Sequence, residues 1–329
     1  MIRLVFFLIG LLAFIGMVWH IGWTEIVRSI GHVGWLPFLV ILLPTAVGYA
    51  LEAYGWKLTL GPHAQVVRFT HVFAIRMAGE VINVTTPTGY MGGEPVKAYF
   101  LERYGVSLVD GFASVITAKT SMTLAQVLFM AFGIGLTLGW LEYTSFSSGI
   151  MAASAGVGVL GVGVLLLLMA QRYGIGAGLL LLLRKTGLSV PFLQAQEKRL
   201  LAVDHLIREF YTTQRRLFLL VLGTYFLAWL LEAVEVYAIL VFLGEPVEWW
   251  ASISIAAVAV LIKGGTFFIP GSLGAQEAGY LLLLMGFGYP DVVGMTFAVL
   301  RRIREIVWIL VGLGCLVCLR GKRVPLIRN

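Results

Sequence analysis

The sequence predicts an all-α integral membrane protein on three observations. The composition is too apolar for an aqueous exterior, apolar runs of bilayer length recur from end to end, and the basic residues concentrate in alternate loops. Of 329 residues, 59% are hydrophobic and 12% charged, about half the charged share of an ordinary soluble protein. A soluble fold of this size would need a charged surface that these residues cannot supply.

Six runs reach the roughly 20 residues that cross a bilayer as a helix. They fall at about 3–22, 35–60, 108–138, 149–170, 216–242 and 291–319. The first occupies the position of a signal peptide. It is longer than a signal core and no small-residue cleavage site follows, so it reads as a retained span. Two further regions, about 66–103 and 248–288, are apolar but interrupted by Pro and Gly. Each reads as a helix, an irregular turn and a shorter helix, either re-entrant or spanning. Irregular backbone at membrane depth persists only where protein or a water-filled cavity covers it.

Orientation follows from Lys and Arg in the short loops. Residues 171–216 carry Arg172, Arg184, Lys185, Lys198, Arg199, Arg208, Arg215 and Arg216, and the tail carries Arg320, Lys322, Arg323 and Arg328. Residues 139–148 and 243–249 carry only the acids Glu142, Glu245 and Glu248. Both termini and the 171–216 connector are therefore expected on the cytoplasmic side of a bacterial inner membrane. Arg28, in an external loop beside Glu25, is the exception. The net charge of +7 is thus a topology signal and no nucleic-acid partner is expected. Within the connector, 197–216 reads as a helix in which Leu200, Leu201, Ile207 and Phe210 alternate with Lys198, Arg199, Arg208 and Arg215. Such a helix either touches anionic headgroups or simply bridges two halves. Cys315 and Cys318 lie in an apolar run without a histidine cluster, so no metal or other cofactor is expected.

The chain also resembles itself. Leu51-Glu52-Ala53 recurs as Leu231-Glu232-Ala233. Downstream, Glu94 and Glu277 each lie seven residues after a proline, Pro87 and Pro270, and eleven before a glycine, Gly105 and Gly288. Asp110 and Asp291 come next, then Lys119 and Arg301. The topology places the Glu52 and Glu232 spans in opposite directions. The expectation is a single membrane domain, 1–329, built as inverted repeats of about 35–138 and 216–319. A span at 149–170 and a basic linker at 171–215 join them. Inverted repeats are common in secondary transporters, where substrate sits at the repeat interface; a duplication whose halves merely pack together is the alternative.

Ionisable groups at membrane depth cost several kcal/mol unless paired or hydrated. Lys119 and Arg301 both fall near mid-bilayer, accompanied by Lys263, Arg302, Arg304 and Glu305. Glu52, Glu80, Glu94, Glu232, Glu235 and Glu277 supply the opposite sign. The set is either a basic cavity for an anionic headgroup, balanced by carboxylates able to bind protons, or a group of ion pairs fixing helix register. The turns Thr86–Pro95 and Pro270–Glu277 open short helices whose N-termini suit an anion, or else mark tight re-entrant packing. No Gly-Lys-Ser/Thr phosphate loop is present.

Asn83, Pro87, Gly93, Glu94 and Lys97, with Lys119 downstream, and Pro270, Gly271, Gly274 and Glu277, with Arg301 downstream, carry a resemblance. Over essentially the whole chain they resemble the flippase-like membrane family named for the transmembrane region of lysylphosphatidylglycerol synthase. The run Gly92-Gly93-Glu94-Pro95-Val96-Lys97 is similar to its hopanoid-biosynthesis-associated branch. The resemblance implies a lipid flippase or transporter that moves an anionic lipid or lipid-linked headgroup between leaflets, with those eleven residues at the substrate site. It departs at 97 and 119, which are Lys where many relatives carry Arg, so bidentate geometry is lost there. The aminoacyl-transferring domain of the synthase has no counterpart in these residues, so enzyme activity is not expected. Two rival readings stand beside it. One is an intramembrane lipid-modifying enzyme using Glu94 or Glu277 as base with His63 or His71. The other is a scaffold for a lipid- or glycan-synthesis partner protein.

Overall fold

A segment surrounded by hydrocarbon must satisfy its own backbone, and a helix does so within one segment. Every regular element among the described residues is such a helix. In the computed structural model the described residues are 12, 15–85, 91–140, 147–186, 196–266, 269 and 272–321, and among them the regular elements are all helical. After a helical stretch at 15–21 come α1 (Trp23–Val33), α2 (Trp35–Leu58), a short 3-10 turn (Gly61–Ala64), α3 (Phe69–Thr85) and α4 (Gly93–Glu102). The long α5 (Leu108–Trp140) and α6 (Ser147–Tyr173) follow, then α7 (Ile175–Thr186) and α8 (Glu197–Thr212). The chain closes with α9 (Arg215–Phe242), α10 (Trp249–Gly265), α11 (Ala275–Gly286) and α12 (Asp291–Gly321).

Four segments are long and apolar enough to cross a membrane: Trp35–Leu58, Leu108–Leu138, Ala153–Tyr173 and Arg215–Phe242. They coincide with the runs expected at 35–60, 108–138, 149–170 and 216–242. The run at 3–22 lies largely outside the described residues. The run at 291–319 is one continuous 31-residue helix, α12, but Arg301, Arg302, Arg304 and Glu305 interrupt its apolar character. Both interrupted regions contain two helices, α3 with α4 and α10 with α11. Their turns, 86–90 and most of 267–271, lie outside the described residues. The external loop expected around Glu25 and Arg28 is instead helix α1, which buries Ile26 and Val33 and packs against α12.

The distribution of polarity is inverted relative to a soluble protein. Leu166, Leu219, Leu282 and Leu310 are each more than half exposed, whereas Glu235, Glu277, Arg301 and Arg304 are at most 3% exposed. An apolar exterior around a charged interior is what a lipid solvent selects.

Helix packing depends on close approach at small residues. α2 lies along α9, with Gly55 against the Tyr225 ring. α5 meets α10 at Gly133, where any side chain would collide with Ala257 and the Ile253 carbonyl. α12 meets α3 at Gly312, where a side chain would collide with Val81 and the Met77 carbonyl. One apolar cluster gathers Phe129, Ile239, Tyr280 and Phe297; a second gathers Trp56, Ile75, Leu101 and Tyr225. Tyr280, Trp56 and Tyr225 also border the charged interior described next.

Candidate functional site

Helical spacing gathers the interior charges. Residues three, four and seven apart share one face of a helix. On α3 this aligns Arg76, Glu80 and Asn83, and on α5 it aligns Lys119, Met122, Thr123 and Gln126. On α12 it aligns Arg301, Arg304, Glu305 and Trp308. α2 adds Tyr49 and Glu52, and α9 adds Glu232 and Glu235. These faces enclose a chamber of about 280 Å3 whose lining includes Arg76, Lys119, Lys263, Arg301 and Arg304 against Glu52, Glu80 and Glu232. Five cations thus face three carboxylates.

The charges are held in a dense network. Arg76 pairs with Glu52, Arg301 with Glu232, and Arg304 with Glu235. Arg301 Nε also stands 3.4 Å from Glu235, and Arg304 Nη1 stands 3.7 Å from Glu232. Thr45 donates its hydroxyl to Glu235 at 2.9 Å. Lys263 donates to Glu305 at 2.8 Å. Arg302 donates from Nε to Glu277 at 2.6 Å and from Nη1 to Glu305 at 2.9 Å. Each of these ion pairs joins residues of the same half of the chain, either before residue 141 or after residue 214. Breaking one partner of such a pair costs about 3–5 kcal/mol.

Arg301 and Glu80 are among the groups that stay incompletely satisfied. Arg301 is 3% exposed, and among the described residues its Nη1 has no hydrogen-bond partner. Glu80 accepts a long hydrogen bond of 3.4 Å from Asn83 Nδ2, and among the described residues it has no cation within ion-pair distance.

The interrupted segments are held by their own side chains. Asn83 Oδ1 accepts from the Gly93 amide at 2.7 Å, and Asn83 Nδ2 donates to Glu94 at 3.2 Å. A side chain at Gly93 would collide with the Gly79 carbonyl, and the Lys97 stem covers Gly79 in turn. In the second half, Glu277 accepts from the Gly274 amide at 2.7 Å. Gly274 has φ 77, a left-handed conformation that glycine takes without a Cβ penalty. One amide at the start of each short helix, that of Gly93 in α4 and that of Gly274 just before α11, is therefore engaged within the chain.

The lysylphosphatidylglycerol synthase TM region family matches residues 1–314, which take in every helix that lines the chamber. The chain belongs to this family. It is also similar to a UPF0104 membrane protein of Methanothermobacter thermautotrophicus, at 27% identity over 317 residues, covering 93% of this chain and 91% of that protein. That relative is thus matched over nearly its whole length by a lysylphosphatidylglycerol synthase TM region.

In this member of the family the residues singled out in the sequence fall into two groups. Lys119 and Arg301 line the chamber, and Glu94 and Lys97 border a smaller space of about 30 Å3 that shares Glu52, Arg76, Glu80, Lys119 and Met122 with it. Glu94 meets Lys97 at 3.0 Å and Lys119 at 3.8 Å. Asn83, Gly93, Gly274 and Glu277 hold helices in place and do not line the chamber. Pro87, Pro270 and Gly271 lie outside the described residues. The repeat aligned Lys119 with Arg301, but contact with the repeated glutamate aligns it with Arg302. Glu94 and Lys119 are 25 residues apart, as are Glu277 and Arg302. Sequence reasoning passed over Arg76 and Tyr49. Arg76 was detectable as a cation four residues before Glu80 in an apolar run; Tyr49 carried no signal beyond its place one turn before Glu52. His63 pairs with Asp110 at 3.3 Å, and His71 stacks on Tyr104. Neither lines the chamber.

Proposed function

We propose that the protein is a flippase-like transporter that moves an anionic lipid, or a lipid-linked anionic headgroup, between the leaflets of the inner membrane. The reading rests on one observation above the rest. A charged chamber in which the buried Arg301 keeps a donor without a partner among the described residues, while Lys119 and Lys263 stay partly exposed on the same lining, is a poor arrangement for stability alone, because buried donors are normally satisfied. An anion in the chamber would complete it.

The reading includes six spans and two interrupted helix pairs arranged as inverted repeats, with both termini cytoplasmic. Several contacts support that arrangement. The last helix of each half packs on the first helix of the other half's interrupted pair: α5 on α10, and α12 on α3. In both cases a glycine sits over a carbonyl and over the side chain four residues further on: Gly133 over Ile253 and Ala257, Gly312 over Met77 and Val81. The matched separations of Glu94–Lys119 and Glu277–Arg302 agree. The halves carry their ion pairs internally, so they can move against each other without separating a salt bridge. Alternating exposure of the chamber between two such halves is the mechanism inferred.

The test is reconstitution. In vesicles carrying a fluorescent anionic phospholipid, the protein should accelerate exchange between leaflets. Arg301→Lys should lower the rate about tenfold by removing the guanidinium fork while keeping the charge. If no anionic lipid from the cell's own extract exchanges faster with protein than without, the proposal fails.

A further inference from the structure

The chamber has an apolar annex. A narrower space of about 50 Å3 between α3 and α12 is lined by Met77, Val81, Val84, Trp308 and Ile309, and it shares Tyr49, Glu80 and Lys263 with the chamber. The geometry points to this groove as the seat of a hydrocarbon chain of an anionic phospholipid whose headgroup occupies the chamber, so that the lipid passes laterally between α3 and α12. This assignment rests on the proposed transport function and extends it.

Three features carry it. First, the walls that the annex does not share with the chamber are chiefly apolar, and their two polar members, Gln276 and Glu305, are bonded to each other at 3.2 Å. A free phosphate would gain nothing from such walls, whereas each CH2 removed from water contributes about 0.8 kcal/mol. Second, the Trp308 indole nitrogen is buried and, among the described residues, has no hydrogen-bond partner. The ring is fixed edge-on to Tyr49 with centroids 5.1 Å apart, and Trp308 lies one turn beyond Arg304 and Glu305 on the same face. Its N–H therefore stands where the linkage between headgroup and chain would lie, and an ester or phosphate oxygen would satisfy it. Third, the seam is sealed at one end, where Gly312 presses against Met77 and Val81. The chain must then leave past Val84 and Ile309.

The experiment uses the full chain in nanodiscs containing phosphatidylglycerol with a diazirine in one acyl chain. After irradiation, cross-links should map to residues 77–85 of α3 and 305–312 of α12. Val84→Trp, and independently Ile309→Trp from the opposite wall, should each reduce labelling about tenfold. Binding of chainless glycerol phosphate, read by calorimetry, should stay within about twofold of the parent. Trp308→Phe keeps the shape and removes one donor, so labelling should fall about three- to tenfold. Labelling centred on α5 and α10, or unchanged in both tryptophan variants, overturns the groove while leaving transport intact if leaflet exchange persists. Absence of both labelling and exchange overturns the groove and the transport reading together.

Discussion

Glu235 is fully buried, with Thr45 and Arg304 as hydrogen-bond partners. A carboxylate so placed stabilises the fold only while its partner is present. Glu235→Gln should lower stability by about 3–5 kcal/mol by stranding the Arg304 charge. Replacing both, as Glu235→Leu with Arg304→Met, should recover much of that loss. Thermal unfolding in detergent reads both outcomes; equal losses in the single and double variants would show that the pair does not act as a unit. Which cation meets which carboxylate was not legible in the sequence. Spacing along a helix places a charge on a face, but pairing depends on the depth and rotation of two helices at once. Hence Glu277 meets Arg302, while Arg301 turns to Glu232 on α9.

The helices themselves were more legible, because an apolar run of bilayer length has few other structures open to it. The interruptions were legible as well, from Pro and Gly. α1 was not, because Glu25 and Arg28 made it resemble a loop. Its stripe of buried Ile26 and Val33 and partly buried Ile30 repeats at helical spacing and was the available signal. Two predictions belong to elements. Gly93→Ala drives a methyl into the Gly79 carbonyl, so α3 and α4 must separate, and stability should fall by about 1–3 kcal/mol in the same melting assay. α8 docks on α5 and α6 through Ile207, Phe210 and Tyr211. Burial pushes the Tyr211 phenol up to about 12, with the hydroxyls of Ser121 and Thr120 pulling the other way. A raised value means that the neutral form is favoured in the folded state. Its contribution is therefore complete below the ordinary value of 10.0 and is lost as pH rises through about 12. Absorbance titration should show one late-ionising tyrosine that disappears in Tyr211→Phe; an unchanged curve would place that phenol in water.

For the molecule as a whole, the proposed transport requires the halves to move against each other at the two glycine seams. A disulfide placed across one of them should hold the halves in one arrangement. In a background with Cys315→Ser and Cys318→Ser, the pair Gly312→Cys with Val81→Cys should exchange lipid slowly when oxidised and recover on reduction. Equal rates in both redox states would mean that exchange does not require this seam to open. The recurrence of Glu52 and Glu94 as Glu232 and Glu277 was legible in the sequence, and the inverted repeat proposed from it rests on that recurrence together with the seams. The seams were not legible, since nothing in a run of small residues says which of them will touch.

The containment of ion pairs within each half also bears on how the chain is made. By the time α5 has left the ribosome, Arg76 can reach Glu52, and Lys97 and Lys119 can reach Glu94. None of these first-half ion pairs needs to wait for a later helix. The second half repeats the pattern, with Arg301 and Arg304 meeting carboxylates on α9. Each half can therefore enter the bilayer with its ion pairs already formed, and what assembly adds afterwards is the fit of the seams, the Thr45–Glu235 hydrogen bond and the chamber between them.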